Sequence, residues 1–254
     1  MAFLYSATNL ITVITLDSVL TEDPVYVKEY LYDDRPSRPF RFLAKAAQWI
    51  KIDLGAPTLV TLAAFFNHNI TAGVVRIQSY SDAWTTMVYN GLFTWRANDM
   101  YHLLSDSNRW WRFYVNAPAN PLMPQVGDAW LGTWSKFTTA HLQPGRDDGV
   151  QFFTDEQTTP YGQDWDAYLS ESKRFGIRFM NLQDPANVDA LEAFLSSIGG
   201  PAGRFVIIPD HTKPHVYMVK VVGSPSAHRH IYGSKELREW TLELKVLTRG
   251  ITLL

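Results

Sequence analysis

The sequence predicts a mainly β protein: a β-sandwich or barrel in the first part of the chain, then a smaller α+β domain with one helix packed on an antiparallel sheet. Three observations carry this. Aromatic residues make up 14% of the chain and charged ones only 19%, a balance that favours strands. Short apolar runs cut by turn residues fill roughly the first 140 positions. One later segment, Asp184–Ile198, has helical periodicity.

The elements follow in order. Trp49-Ile50-Lys51-Ile52-Asp53-Leu54-Gly55 alternates and is expected to stop at the glycine. Leu59–Ile70 is an apolar run that ends in the polar triplet Asn67-His68-Asn69. Val74–Gln78 comes next, across a Thr71-Ala72-Gly73 turn. In Trp110–Val115, Trp111, Phe113 and Val115 share one face and Trp110, Arg112 and Tyr114 the other. Residues 141–170 read as a connector, because Pro144-Gly145-Arg146-Asp147-Asp148-Gly149 and Thr158-Thr159-Pro160-Tyr161-Gly162 set turns. The domains are therefore placed at 1–140, 141–170 and 171–254. Arg174–Leu182 reads as a strand. In the helix, Asp184 can cap the first turn and Pro185 sits where a missing N–H costs nothing. Val188, Leu191, Phe194, Leu195 and Ile198 form its apolar stripe, and Gly199-Gly200-Pro201 stops it. Strands follow at Arg204–Ile208, Val216–Val222 and Leu237–Thr248. In the last, Trp240, Leu242, Leu244 and Val246 face one way and Glu239, Thr241, Glu243 and Lys245 the other.

Composition excludes several functions. The 254 residues contain no cysteine, so there is no disulfide scaffold, thiol enzyme or cysteine-ligated metal. A net charge of -2 gives no bulk field to attract nucleic acid or anionic membrane. No apolar run approaches the roughly 20 residues of a membrane span. Met1–Leu20 lacks a basic start and a clean apolar block, so a signal peptide is not expected.

Candidate chemistry is sparse. His228 and His230 flank Arg229 and would point to one side of a strand, and His211 and His215 form a loop pair across Thr212-Lys213-Pro214. Together they make a four-histidine site only where the fold joins them. Without supporting carboxylates they read as exposed turns, and no metal or other cofactor is expected. His68 reads as part of a polar corner that satisfies loop backbone groups. The acidic pairs Asp33-Asp34, Asp147-Asp148, Asp155-Glu156 and Asp164/Asp166 read as solvated carboxylates; Asp33-Asp34 and Asp147-Asp148 also suit calcium, though no twelve-residue calcium loop is present. A glycoside hydrolase would draw its acids from Asp147, Asp155, Asp164 or Glu171, but needs two of them across one bond. Nucleophile, phosphate-loop and dinucleotide motifs are missing, so no catalytic residue is assigned and the protein is read as a non-enzyme. Trp84, Tyr89, Trp95, Tyr101, Trp110 and Trp111 fall in or beside first-half loops. Aromatic faces stack on sugar rings or anchor interfaces, and Trp84, Trp95 and Tyr101 are the candidate contacts to glycan or partner.

The stretch Trp49–Gly55, followed by Val60–Ile70, resembles discoidin-like (galactose-binding-like) jelly rolls, in which a strand ending in Asp-Leu-Gly leads into an apolar strand. Arg109-Trp110-Trp111-Arg112-Phe113-Tyr114 matches that family's later aromatic-rich strand. The Asn67–Ile70 corner with Gly127-Asp128-Ala129-Trp130-Leu131-Gly132 resembles the variant found in tail proteins of tailed bacteriophages. The order Phe175–Leu182, Asp184–Pro201, Arg204–Asp210, Val216–Gly223, Leu237–Leu247 resembles the α+β module of distal-tail and minor tail proteins. The resemblance implies an N-terminal β-sandwich jelly roll and a ring-forming module. It implies a structural virion protein of a phage tail tip or baseplate, assembled in the host cytoplasm. Its partners would be other phage tail proteins, copies of itself and host-surface glycan. The alternative is a free-standing carbohydrate-binding lectin.

Overall fold

The computed structural model describes residues 4–12, 14–16, 23, 25–33, 38–94, 98–136, 148–158, 164–182, 185–199, 203–209, 212, 215–232 and 235–247. The chain is mainly β, and it divides into two compact units. The first comprises Met1–Phe137, Phe205–Met218 and Thr248–Leu254, and the second Thr138–Arg204 and Val219–Leu247.

In the first unit the strands are β1 (Leu4–Ser6), β2 (Ile14–Leu16), β3 (Phe40–Arg41), β4 (Gln48–His68), β5 (Val74–Tyr80), β6 (Met87–Leu92), β7 (Asn98–Asn116), β8 (Gln125–Val126), β9 (Asp128–Gly132) and β10 (Ser135–Lys136). The main sheet runs β2-β4-β7-β5-β6, with β9 paired to the far half of β4. The strands β3 and β8 make a separate ribbon.

Register and ring contacts together show how this sheet becomes a sandwich. Ile50 of β4 lies opposite Phe113 of β7. Phe65, 15 residues further along β4, also touches Phe113, with ring centroids 4.4 Å apart. A straight strand would separate Ile50 and Phe65 by about 50 Å. The sheet therefore folds back on itself, at irregularities between Asp53 and Thr58 and between Val60 and Leu62. The core lies between the two layers. Ile50, Ile77, Trp111 and Phe113 fill it from one side and Phe65, Met100 and Leu131 from the other.

Gly55 differs from its sequence-predicted role. It does not end a strand; at φ 77 it lets β4 bulge and continue to His68. Gly73, at φ 128, turns the chain into β5, and a Cβ there would run into the Asn116 carbonyl and Ala117. Gly73→Ala is expected to destabilise the protein by more than about 2 kcal/mol in urea unfolding, through strain and this collision together.

The polar corner forms as expected. Asn67 takes φ 51, and its N–H donates to Asp99 Oδ1 at 2.8 Å. His68 Nδ1 accepts the Ile70 N–H at 3.2 Å. Asn69 donates to the Met123 carbonyl and accepts the Gln125 N–H, tying the 120s loop to the end of β4. Burial pushes the His68 pKa down to about 4. The start of the chain enters two places: β2 pairs with β4, while β1 lies between β10 and β13 (Arg204–Ile208).

The second unit holds β11 (Asp148–Thr158), β12 (Asp164–Leu182), the helix α1 (Pro185–Ser197), and most of β14 (Tyr217–Tyr232) and β15 (Lys235–Val246). Its antiparallel order is β11-β12-β15-β14. The stretch 141–170, expected as turns, instead carries β11 and the start of β12, paired from Asp148↔Phe175 to Thr158↔Asp164. The physical reason is position. Gly149 and Pro160 punctuate the ends of this segment, while β-forming Val150, Phe152, Phe153 and Thr154 lie between them. The helix matches its sequence signals: it begins at Pro185, Phe194 and Ile198 are buried, and Gly199 at φ 70 ends it. Asp184, its expected cap, lies outside the described residues. In β15 the alternation holds where side chains are described, with Leu242, Leu244 and Val246 buried and Glu243 exposed.

Candidate functional site

Strand alternation builds one unusual surface, the outer face of the first unit's sheet. Since Ile50, Ile52, Val75, Ile77, Trp111 and Phe113 fill the core, their neighbours point outward. Across β4, β7 and β5 the register sets three outer rows: Trp49–Tyr114–Arg76, Lys51–Arg112–Gln78 and Asp53–Trp110–Tyr80. Rings and guanidinium groups thus alternate over the face.

At one end, Asp53 turns its carboxylate toward β7 because the Gly55 bulge lets its Oδ1 accept the Gly55 N–H at 2.8 Å. Arg109 closes a two-pronged ion pair, Nε to Oδ1 at 2.6 Å and Nη2 to Oδ2 at 2.7 Å. The hydrogen bond from Arg109 holds the Asp53 carboxyl below its ordinary pKa. The same guanidinium lies 4.1 Å from the Trp110 ring centroid. Trp84 meets Trp110 edge-on at 4.7 Å, and Lys51 Nζ lies 5.2 Å from the Trp84 ring. Trp84 sits at φ 66 in a turn clamped by Asp82, whose Oδ1 accepts the Thr86 N–H at 2.6 Å. A bulky residue in the left-handed region costs about 1–2 kcal/mol and is worth a functional explanation.

In the middle of the face, Arg112 lies between the rings of Tyr80 (4.7 Å) and Trp49 (5.5 Å). Its Nε donates to Gln78 Oε1 at 2.6 Å, and Gln78 Nε2 donates to Asn90 Oδ1 at 2.9 Å. Gln78 and Tyr80, its neighbours on β5, are both buried. Burial raises the Tyr80 phenol pKa, so it stays neutral. Trp49 and Tyr114 complete the row at 6.0 Å.

A second polar cluster lies off the face. Tyr89 Oη and His102 Nε2 are 2.6 Å apart, over Gly91, where a Cβ would strike both rings. Burial pushes the His102 pKa down and the Tyr89 pKa up, so both stay neutral. Ser79 donates to Asp106 Oδ2, which also accepts from Asn108 Nδ2 at 2.8 Å. These bonds brace the sheet and satisfy polar groups near the core.

Of the contact residues predicted from sequence, Trp84 belongs to the outer face. Tyr101 lies on the folded-back half of β7, opposite Ala64 and next to the buried Met100, so it stands outside the three rows of the outer face. Trp95 lies outside the described residues, as do His211, Asp34 and Asp147. His215 is exposed and stacks on Tyr217 at 6.2 Å. His228 and His230 fall on β14, opposite Glu239 and Leu237. Asp155, Asp164 and Glu171 fall on the β11–β12 hairpin, opposite Ala167, Thr158 and Phe152. Among the described residues no group of three His, Asp or Glu could hold a metal ion, and no helix is long and apolar enough to cross a membrane. Sequence reasoning missed Asp53, Arg109, Gln78 and Arg112 as site residues. The outward phase of Trp110, Arg112 and Tyr114 was the signal that pointed to them.

No family model matches the chain, and no curated protein sequence matches it. Among solved structures it is similar to chitosan-binding module 1 of a chitosanase/glucanase from Paenibacillus sp. IK-5, at 18% identity over 50% of this chain and 99% of that one, with a TM-score of 0.42. It is also similar to a fucose-binding module of Streptococcus pneumoniae, at 12% identity over 50% and 99% with a TM-score of 0.40. A third is a module produced by Clostridium perfringens, at 11% identity over 49% and 98% with a TM-score of 0.38.

Proposed function

We propose that this chain is a carbohydrate-binding protein, and that it binds sugar rather than transforming it. The observation that carries the reading is the outer face, where half-buried Trp49, Trp84 and Trp110 stand among guanidinium groups. Indole faces stack on the C–H faces of sugar rings and lose little entropy in doing so, since each has only two rotatable bonds. Holding Trp84 in a strained turn over Trp110 fits a preformed platform better than a chance surface ring. The test is a glycan array followed by calorimetry on the hits. Trp84→Ala and Trp110→Ala are each expected to weaken binding by about tenfold. An array with no binder overturns the reading.

A second reading, a structural part of a phage tail tip or baseplate, draws on the second unit. Its strands run 11, 19, 16 and 12 residues, where about 5–6 is usual. The 11-residue β11 ends the strand order, and a long edge is a template for pairing with another chain. On that reading the protein assembles with its own copies and with other tail proteins in the virion. Light scattering that finds only monomer, together with absence from purified particles, overturns it.

A further inference from the structure

The outer face holds two guanidinium groups in different states. Arg109 is satisfied: both oxygens of Asp53 face it. Arg112 is not, since no carboxylate pairs with it among the described residues. Its Nε is engaged by Gln78, which is itself buried and held by Asn90. The Tyr80 and Trp49 rings, on the two strands that flank β7, pack against the group at 4.7 and 5.5 Å. A side chain that ordinarily carries much rotamer entropy is thus locked before any ligand arrives, with its terminal nitrogens uncommitted to acid. The surroundings reinforce this. Arg76 shares the face, and among the described residues of its three rows the carboxylate is that of Asp53, already neutralised by Arg109. Asp82, in the adjoining turn, is engaged by Thr86. Among the described residues of the three rows, Arg76 and Arg112 thus carry positive charge with no carboxylate paired to them, on a chain whose net charge is slightly negative.

We propose that Arg112 is the carboxylate-binding residue of the outer face, and that the face takes an acidic sugar, a uronic acid residue, in preference to a neutral one. This rests on the carbohydrate reading above and names its substrate class. The ring of the sugar would stack on an indole while its carboxylate takes hydrogen bonds from the Arg112 fork, the geometry that guanidinium offers and ammonium does not.

The test measures binding of galacturonate, glucuronate and mannuronate trisaccharides by calorimetry on the full chain. Each is used as free acid and as methyl ester, beside neutral galactose and glucose trisaccharides, at low and high salt. The free acids are expected to bind about tenfold tighter than their esters, with the margin shrinking in high salt. Arg112→Gln should abolish that margin and Arg112→Lys should restore it only in part. Acids and esters binding alike, or a margin that survives in folded Arg112→Gln, overturns this inference and leaves the carbohydrate reading standing. No binding of acid, ester or neutral sugar overturns both. Should Arg112→Gln fail to fold, the comparison of acid with ester on the unaltered protein decides, because it needs no variant.

Discussion

Trp111→Ala is expected to lower stability by about 3–5 kcal/mol, while Trp110→Ala, one residue earlier, should cost less than about 1 kcal/mol and act on binding instead. The two indoles belong to one strand and to opposite worlds. Trp111 is fully buried, sits among Ile52, Ser79 and the other inner positions of the sheet, and donates its Nε1–H to the Asn108 carbonyl at 2.8 Å. Removing it leaves a cavity as large as any single substitution can make here, and an unmet carbonyl besides. Trp110 faces outward with Arg109 and Trp84 as its partners, and those partners remain near water when it is gone. Urea unfolding of both variants, with sugar binding measured on the folded ones, separates the roles. Equal losses of stability would mean that the outer face is a second core, and the binding proposal would fall with that result.

That contrast was readable in the sequence, because alternation in Trp110–Val115 is a local signal with a period of two. The helix was readable for a similar reason: proline, apolar spacing and glycine lie within one short segment, and α1 uses all three. Gly55 was harder. A glycine at positive φ serves equally well to end a strand or to bulge it, and only the partner strand, which resumes pairing at Thr58↔Asn108, decides between them. The hairpin of β11 and β12 was hidden by its own turn residues, since proline, glycine and aspartate at its ends looked like a continuous connector. The site was least legible. Its defining contacts join Asp53 to Arg109 and Gln78 to Arg112, 56 and 34 residues apart. Neither pair has a spacing rule, because the bulges of β4 and the register of the sheet bring them together. What the chain did announce was the residue type: an Arg-x-x-Arg pair interleaved with tryptophans on one strand.

Acid should unfold this protein earlier than its carboxylates alone would dictate, and His68 is the cause. Its imidazole is buried at the corner after β4, where desolvation pushes its pKa down to about 4 from an ordinary 6.5. In the unfolded chain the ring takes a proton as the pH falls through 6.5; in the folded chain it refuses one until about pH 4. The unfolded state therefore binds more protons across that window, and stability falls with pH throughout it. A shift of this size is worth about 2 kcal/mol by pH 5 and about 3 kcal/mol by pH 4. Asp128 acts the other way. It is fully buried near Asp33, and burial raises its pKa well above the carboxylate range. The folded state then holds a proton that the unfolded state has lost, so this contribution grows on acidification and is complete near pH 3.8. The two partly cancel in the wild type, which is why the difference from a variant is the quantity to measure. His68→Asn keeps an acceptor for the Ile70 N–H and removes the titrating ring. Its stability deficit, read by urea unfolding at pH 7.5 and at pH 4, should shrink by about 3 kcal/mol over that interval. A deficit that stays constant would show that His68 titrates normally in the folded chain and that the corner admits water.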